Sequence, residues 1–139
     1  MRVLKVAPMT APTVIDLAED DLLRSVYEAI GNGCDCVQGV YPFDDPVTII
    51  CDDEGKFRGT QEPNRCLFDA DGSMYDQIFG TFLIAGVGEE DWRSLTDAEV
   101  EKYTERFKEL EYTARIGNNT IGIFFLSNSR PTIYLDIGG

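Results

Sequence analysis

The order of apolar and polar residues predicts a chain that consists mostly of short strands. Residues 2–7 alternate in character, and residues 13–15 follow a proline-containing connection, so we predict that these two segments form a hairpin. Residues 34–41 and 47–51 are apolar or β-branched segments. The two prolines and two aspartates between them favour a tight turn.

The second half of the chain contains further strand patterns. The longest apolar run, residues 78–87, predicts a central strand in which Gly80 forms a bulge or a turn, and a short strand at residues 66–68 precedes it. Residues 120–126 and 132–137 predict a C-terminal β-hairpin, because the polar segment between them has the composition of a hairpin loop.

Two stretches show the spacing of an amphipathic helix instead. The first spans residues 20–30, with Asp20 as its N-terminal cap and glycines just after its last turn. The second begins where Thr96 and Glu99 form the pattern of a capping box. Its apolar side repeats at Val100, Tyr103, Phe107 and Leu110.

These elements predict the fold class and the domain organisation. Two helices among about seven short strands, without regular alternation, predict an α+β fold with a mixed or antiparallel sheet. A chain of 139 residues is long enough for one core, so we expect residues 1–139 to form a single acidic domain.

The charge balance limits the partners and the chemistry. The chain has 25 acidic and 12 basic side chains and no histidine, which gives a net charge of −13. An acidic protein repels polyphosphates, so we expect no direct binding to nucleic acid or to an anionic membrane, and a basic protein as partner. Without histidine there is no serine–histidine or cysteine–histidine pair. We therefore predict a non-enzymatic protein with no catalytic residues and no cofactor.

Neither a targeting segment nor a metal-binding cysteine motif is evident in the sequence. Pro8 and Pro12 interrupt the first apolar segment, and no apolar run approaches the roughly 18 residues of a membrane span. The four cysteines lack the paired CxxC spacing of a zinc ribbon. We expect a cytoplasmic protein with reduced thiols.

Several short motifs, taken together, resemble those of a known protein family. The motifs are residues 40–47 (VYPFDDPV), Asn64-Arg65, Asp71-Gly72, Tyr75-Asp76, Gly80-Thr81-Phe82 and Leu95-Thr96-Asp97. In this order they resemble a family of small proteins from phages, mobile elements and Gram-positive bacteria that is described only as a domain of unknown function. The resemblance covers roughly residues 1–112 and implies a genomic setting, not a reaction. Residues 113–139 depart from the pattern as a C-terminal strand extension.

One candidate site is a pocket for a small nucleotide. Its predicted lining is Tyr41, Phe43, Asp44, Asp45, Asn64, Arg65 and Tyr75. Arginine can present its planar guanidinium to a phosphate, and aromatic rings beside turns can stack on a base. The structural alternatives are that Arg65 pairs with one of the many aspartates, and that the rings pack over the edge of the sheet.

A second candidate site is the acidic side of the second helix. Its predicted protein-binding residues are Glu99, Glu101, Glu105 and Glu109. Carboxylates spaced along a rigid helix can replace phosphates in the basic channel of a nucleic-acid-binding host protein, and this predicts a counter-defence inhibitor as the first functional hypothesis. Sequestration of a nucleotide signal is the alternative. A simple solvated helix face is the structural explanation of the same residues.

A third cluster consists of Asp69, Asp71 and Asp76, with Asp52 and Asp53 earlier in the chain. Several converging carboxylates can hold Mg²⁺ or Ca²⁺. The Asp-x-Asp-Gly-Ser spacing is also that of an ordinary turn, and it lacks the remaining ligands of a calcium loop. A metal-dependent hydrolase is therefore the least supported hypothesis, because nothing in the pattern identifies a nucleophile or a general base.

Overall fold

The computed structural model describes residues 1–54, 62–68, 71–117, 119–125 and 133–134. The strands are β1 (Arg2–Val6), β2 (Thr13–Asp16), β3 (Val37–Val40), β4 (Val47–Asp52), β5 (Pro63–Phe68), β6 (Met74–Phe79), β7 (Phe82–Val87), β8 (Trp92–Arg93), β9 (Glu111–Ile116), β10 (Asn119–Phe125) and β11 (Ile133–Tyr134). The helices are α1 (Leu22–Ile30) and α2 (Asp97–Arg106). Neither described helix has the length and apolar character needed to cross a membrane.

A six-stranded antiparallel sheet forms the centre of this fold. Its order is β2-β1-β7-β4-β3, and β8 also pairs with β7. All six side chains of β4 are buried, as are five of the six in β7. Because successive side chains of a strand point to opposite faces, both faces of this sheet must be covered.

Two different layers cover the two faces. On one face, Val26 and Ile30 of α1 pack in a cluster that includes Ile50 and Leu83. On the other face lie α2 and the hairpin formed by β5 and β6. That second cluster includes Leu67, Ile78, Tyr103 and Phe107, packed with Ile49, Phe82 and Ile84 of the sheet.

A three-stranded antiparallel sheet of β9, β10 and β11 follows α2. Strand β9 lies beside β5. The two are joined by a hydrogen bond in which the Cys66 backbone N–H donates to the Glu111 carboxylate, with an N···O distance of 2.9 Å. The Phe68 and Phe125 rings, with centroids 6.2 Å apart, extend this contact to β10.

The α+β class, the two helices, the N-terminal hairpin and the C-terminal hairpin are confirmed. The prediction of about seven strands is wrong, because the described sheets contain six, three and two strands. The run at residues 78–87 is not one strand but parts of β6 and β7, which belong to different sheets, and Gly80, with a φ of +77°, lies between them. Strands β8 and β9 were not predicted from the sequence.

The predicted ends of the two helices need correction. Residues Glu19–Asp21 form a single 3-10 turn, so α1 begins after Asp21, and that residue makes no side-chain cap hydrogen bond. Helix α2 has the predicted capping box of Thr96 and Glu99. It ends at Arg106, so Leu110 does not continue its apolar side.

Arg93 crosses the backbone of β7 at a position where only glycine fits. Its guanidinium bonds both carboxylate oxygens of Glu99, at 2.8 and 3.0 Å, and donates to the Pro46 carbonyl. A Cβ atom on Gly86 would lie 2.7 Å from Arg93 Cγ and would also clash with Nη1. Any side chain at residue 86 must therefore displace Arg93 from Glu99.

We expect Gly86→Ala to lower the free energy of unfolding by about 1–3 kcal/mol, because overpacking at this contact displaces an arginine that several hydrogen bonds hold. Urea unfolding measures the loss. The control repeats the substitution in an Arg93→Ala background, where the penalty should largely disappear. An equal penalty in both backgrounds would place the strain in β7 itself.

Candidate ligand-binding cleft

A cleft of about 730 Å³ lies between the turn that precedes β4, the helix α2 and the strands β5, β9 and β10. This volume falls within the range of small-molecule sites, roughly 300–1,000 Å³. Aromatic side chains contribute much of its lining, and these are Tyr41, Phe43, Phe68, Tyr103, Phe107 and Phe125. Five charged residues also line it: Asp44, Lys102, Arg106, Glu109 and Glu111.

The turn at residues 41–46 is held on α2 by an aromatic contact and by hydrogen bonds. The Phe43 and Tyr103 rings have centroids 4.7 Å apart. The Tyr103 hydroxyl donates to Asp45 Oδ2 at 2.7 Å, and Lys102 Nζ donates to the same oxygen. The bond from Lys102 holds the pKa of Asp45 below its ordinary value. Asp45 therefore fixes the position of Phe43 instead of lining the cleft itself.

Arg106 is the most available cation of the cleft. Its Cζ atom lies 5.0 Å from the centroid of the Phe43 ring and 5.7 Å from that of Phe107, which is the geometry of a cation–π contact. The residue is exposed, and among the described residues its guanidinium makes no hydrogen bond or ion pair. Its N–H donors therefore remain free for an anion.

Asn64 and Arg65 lie beneath the cleft in the interior. Asn64 is 1% exposed, and its Nδ2 donates to the carbonyls of Val6 and Gly80, each at 2.8 Å. The Arg65 side chain is 0% exposed. It donates to the Phe107 carbonyl from Nε and Nη2, to the Thr10 carbonyl from Nη2, and to Asn64 Oδ1 from Nη1.

These contacts give Arg65 a structural role. Neither predicted interpretation describes them, because the guanidinium faces backbone carbonyls and an amide, not a ligand phosphate or an aspartate. Of the other predicted ligand residues, Tyr41, Phe43 and Asp44 line the cleft, whereas Asp45 lies beside it. The side chain of Tyr75 falls outside the described part of the chain.

Glu111 is a buried carboxyl group in the wall of the cleft. It is 7% exposed, and the bond from the Cys66 N–H holds it beside β5. Burial raises the pKa of Glu111, while the Cys66 contacts and the charge of Arg65 oppose this shift. Burial also raises the pKa of the Cys66 thiol, so this cysteine lacks the thiolate character of a nucleophile.

The four predicted protein-binding acids do not form one free row. Glu99 is bonded to Arg93 and to the Thr96 backbone, and the Arg93 bond lowers the pKa of its carboxyl group. Glu105 pairs with Lys108. Glu109 lies beyond the end of α2 and lines the cleft. Of the four, only Glu101 projects from α2 without a described ion pair.

Among the described residues, the predicted aspartates do not converge on one metal-binding point. Asp69 lies outside the described residues. Asp71 is exposed in a turn and accepts a hydrogen bond from the Ser73 N–H at 2.9 Å, and Asp76 accepts one from the Gln77 N–H. Asp52 is buried at the end of β4 and accepts a bond from the Glu54 N–H. Within these residues, no three acidic or thiol groups gather at a point where they could hold a metal.

The sequence analysis did not single out Lys102, Arg106 or Glu111 as cleft residues. The two cations are four residues apart on α2, a spacing that places them on one side of a helix. In a chain with this excess of acidic residues, two cations on one side of a helix could have been recognised from the sequence as a candidate anion contact. Glu111 had no comparable signal, because the contact of β9 with β5 depends on tertiary packing.

Comparison with known proteins gives one match. A family model described as a domain of unknown function (DUF3846) matches residues 1–108. No curated protein and no solved structure matches the chain. The matched residues include both helices and the central sheet, and β9 begins beyond them.

We expect Arg65→Met to lower the free energy of unfolding by about 3 kcal/mol or more, because the Phe107 carbonyl and the Asn64 side-chain oxygen stay buried without their donor. Urea unfolding of the ligand-free protein measures this loss. Arg24→Met, at an exposed arginine of α1, is the matched control and should change stability by only about 0.5 kcal/mol. Unchanged stability of Arg65→Met would refute the structural role.

Proposed function

The chain belongs to the DUF3846 family, a domain of unknown function, and we propose that it is a non-enzymatic, cytoplasmic protein that binds a nucleotide in its cleft. The observation that carries the proposal is the position of Arg106. Its guanidinium is exposed at the cleft and has no described anionic partner, although the chain has 25 acidic side chains. A phosphate group supplies the bidentate acceptor that such a guanidinium lacks.

The aromatic lining of the cleft is suited to the base of a nucleotide. Tyr41 is 67% exposed at the cleft, and Phe43 is held beside it by α2. A purine or pyrimidine base can stack on such rings, and each stacked base contributes about 1–3 kcal/mol. The fixed position of Phe43 reduces the ordering that binding would require.

The charges of the cleft match a ligand that is anionic at one end only. Lys102 and Arg106 extend from α2, whereas Glu109 and Glu111 belong to the segment that follows the helix. Lys102 is already bonded to Asp45, so Arg106 is the primary phosphate contact in this proposal. A polyanion with charge along its whole length would be repelled by the acidic residues.

We expect Arg106→Ala to weaken the binding of GMP by about tenfold or more, because one charge-assisted contact to phosphate contributes roughly 1.5–3 kcal/mol. Isothermal titration calorimetry measures the dissociation constant. Arg24→Ala removes an equally charged, exposed side chain on the other face of the central sheet and should leave binding unchanged. Equal binding by wild type and Arg106→Ala would contradict the assigned contact. No binding of GMP, AMP or UMP to the wild type would contradict the function.

A second candidate function is favoured by a different observation: the chain would be a phage or mobile-element accessory protein that inhibits a basic host nucleic-acid-binding protein. Acidic residues crowd the turn that joins β7 to β8 and the exposed side of α2. They are Glu89, Glu90, Asp91, Asp97 and Glu101, and all are exposed. We call these five residues the acidic surface. It can attract a basic partner over the screening distance of about 8–10 Å.

We expect the double variant Glu89→Lys and Glu101→Lys to lose capture of a basic partner from a bacterial lysate at low salt. Quantitative mass spectrometry of the captured proteins measures the loss. Glu19→Lys combined with Glu28→Lys makes the same change in net charge at the other helix and should keep the capture. Equal loss in both variants would mean that only bulk charge matters, and capture that persists in high salt would contradict an electrostatic contact.

A further inference from the structure

Glu111 provides a second, oppositely charged contact in the cleft that the nucleotide proposal does not use. It begins β9, on the side formed by the segment that follows α2, whereas Arg106 belongs to α2 itself. The carboxylate is fixed, because the Cys66 backbone N–H donates to Oε1 at 2.9 Å. A ligand in the cleft therefore meets a cation from one element and a buried carboxylate from another.

This carboxylate has acceptor capacity to spare. An ionised carboxylate can accept about four hydrogen bonds. The described donors to Glu111 come from Cys66, through its backbone N–H and its thiol. Burial raises the pKa of Glu111, and the nearby charge of Arg65 opposes this shift, but the described hydrogen bonds of Arg65 go to Phe107, Thr10 and Asn64. A ligand with N–H donors would supply the bonds that a buried carboxylate needs.

The number and direction of those donors distinguish the bases. Guanine presents two adjacent N–H donors on one edge, N1–H and the 2-amino group, and this pair matches the two oxygens of a carboxylate. Hypoxanthine keeps N1–H but has no 2-amino group. Adenine has an unprotonated N1, whose lone pair would face the carboxylate oxygens and leave them without a donor.

From this arrangement we propose that Glu111 makes the cleft selective for guanine nucleotides, with the base edge at Glu111 and the phosphate at Arg106. The inference rests on the proposed nucleotide site and names its ligand class. The Phe43 and Tyr41 rings line the same cleft and supply the stacking surface in this assignment. Because Glu111 follows the residues that the family model matches, the selectivity arises in the C-terminal part of this chain.

Calorimetric titration of the full chain with GMP, IMP and AMP tests this assignment. Wild type should bind GMP about tenfold more tightly than AMP, with IMP between them, because a missing hydrogen bond to a charged group reduces affinity by about this factor. Glu111→Gln should reduce the preference for GMP over AMP to about threefold or less. Its side-chain oxygen can still accept the bond from the Cys66 N–H. Glu19→Gln, at an exposed residue just before α1, is the control and should keep the preference.

The outcomes separate this inference from the proposed function. If wild type binds none of the three nucleotides, the nucleotide site itself is refuted. If it binds GMP and AMP equally, the site stands and the role of Glu111 is refuted. Equal binding of GMP and AMP by wild type refutes the role of Glu111 even if Glu111→Gln fails to fold. A preference for GMP that survives Glu111→Gln would assign the selectivity to another residue and overturn the inference.

Discussion

The buried pair Asn64 and Arg65 connects parts of the chain that are far apart in sequence. Asn64 bonds the end of β1 and the turn between β6 and β7, and it accepts a bond from Arg65. Arg65 bonds the loop after β1 at Thr10 and the end of α2 at Phe107. A guanidinium is expensive to bury unless its donors are satisfied, so these segments are stable in the interior only when all are in place. The pair therefore makes the central sheet, the hairpin of β5 and β6, and α2 depend on one another.

The geometry of the cleft depends on the hydrogen bonds of Arg65. The Phe107 carbonyl that Arg65 holds directly follows Arg106, so the buried arginine positions the exposed one. At its other end, α2 is fixed by the capping box and by the bond between Glu99 and Arg93, which lies over Gly86 of β7. Between these ends, Tyr103 and Lys102 hold the turn that carries Phe43. A cation on a helix anchored at both ends is a preorganised contact for an anion.

Local patterns predicted the helices, the hairpins and the aromatic turn, because caps, glycines and apolar spacing act within a few residues. They failed where tertiary packing decides the structure. The run at residues 78–87 has the same apolar character on both sides of Gly80, so periodicity alone could not separate β6 from β7. Arg65 was predicted to contact a ligand or an aspartate, but whether its donors meet a ligand or a carbonyl depends on the end of α2 and the loop after β1. The acidic row on α2 was overestimated because Glu99 serves the helix cap.

The net charge of −13 has opposite consequences for the two proposed partners. A basic protein would be drawn to the acidic surface through the long-range field, and added salt would slow its association. An anionic nucleotide approaches against that field, so it must depend on contacts within the cleft, where Arg106 lies on the Phe43 ring. Added salt weakens the repulsion from the whole surface, which comes from charges far from the ligand, more than it weakens a direct bond at contact distance. The response of the association rate to salt therefore distinguishes binding at the acidic surface from binding in the cleft.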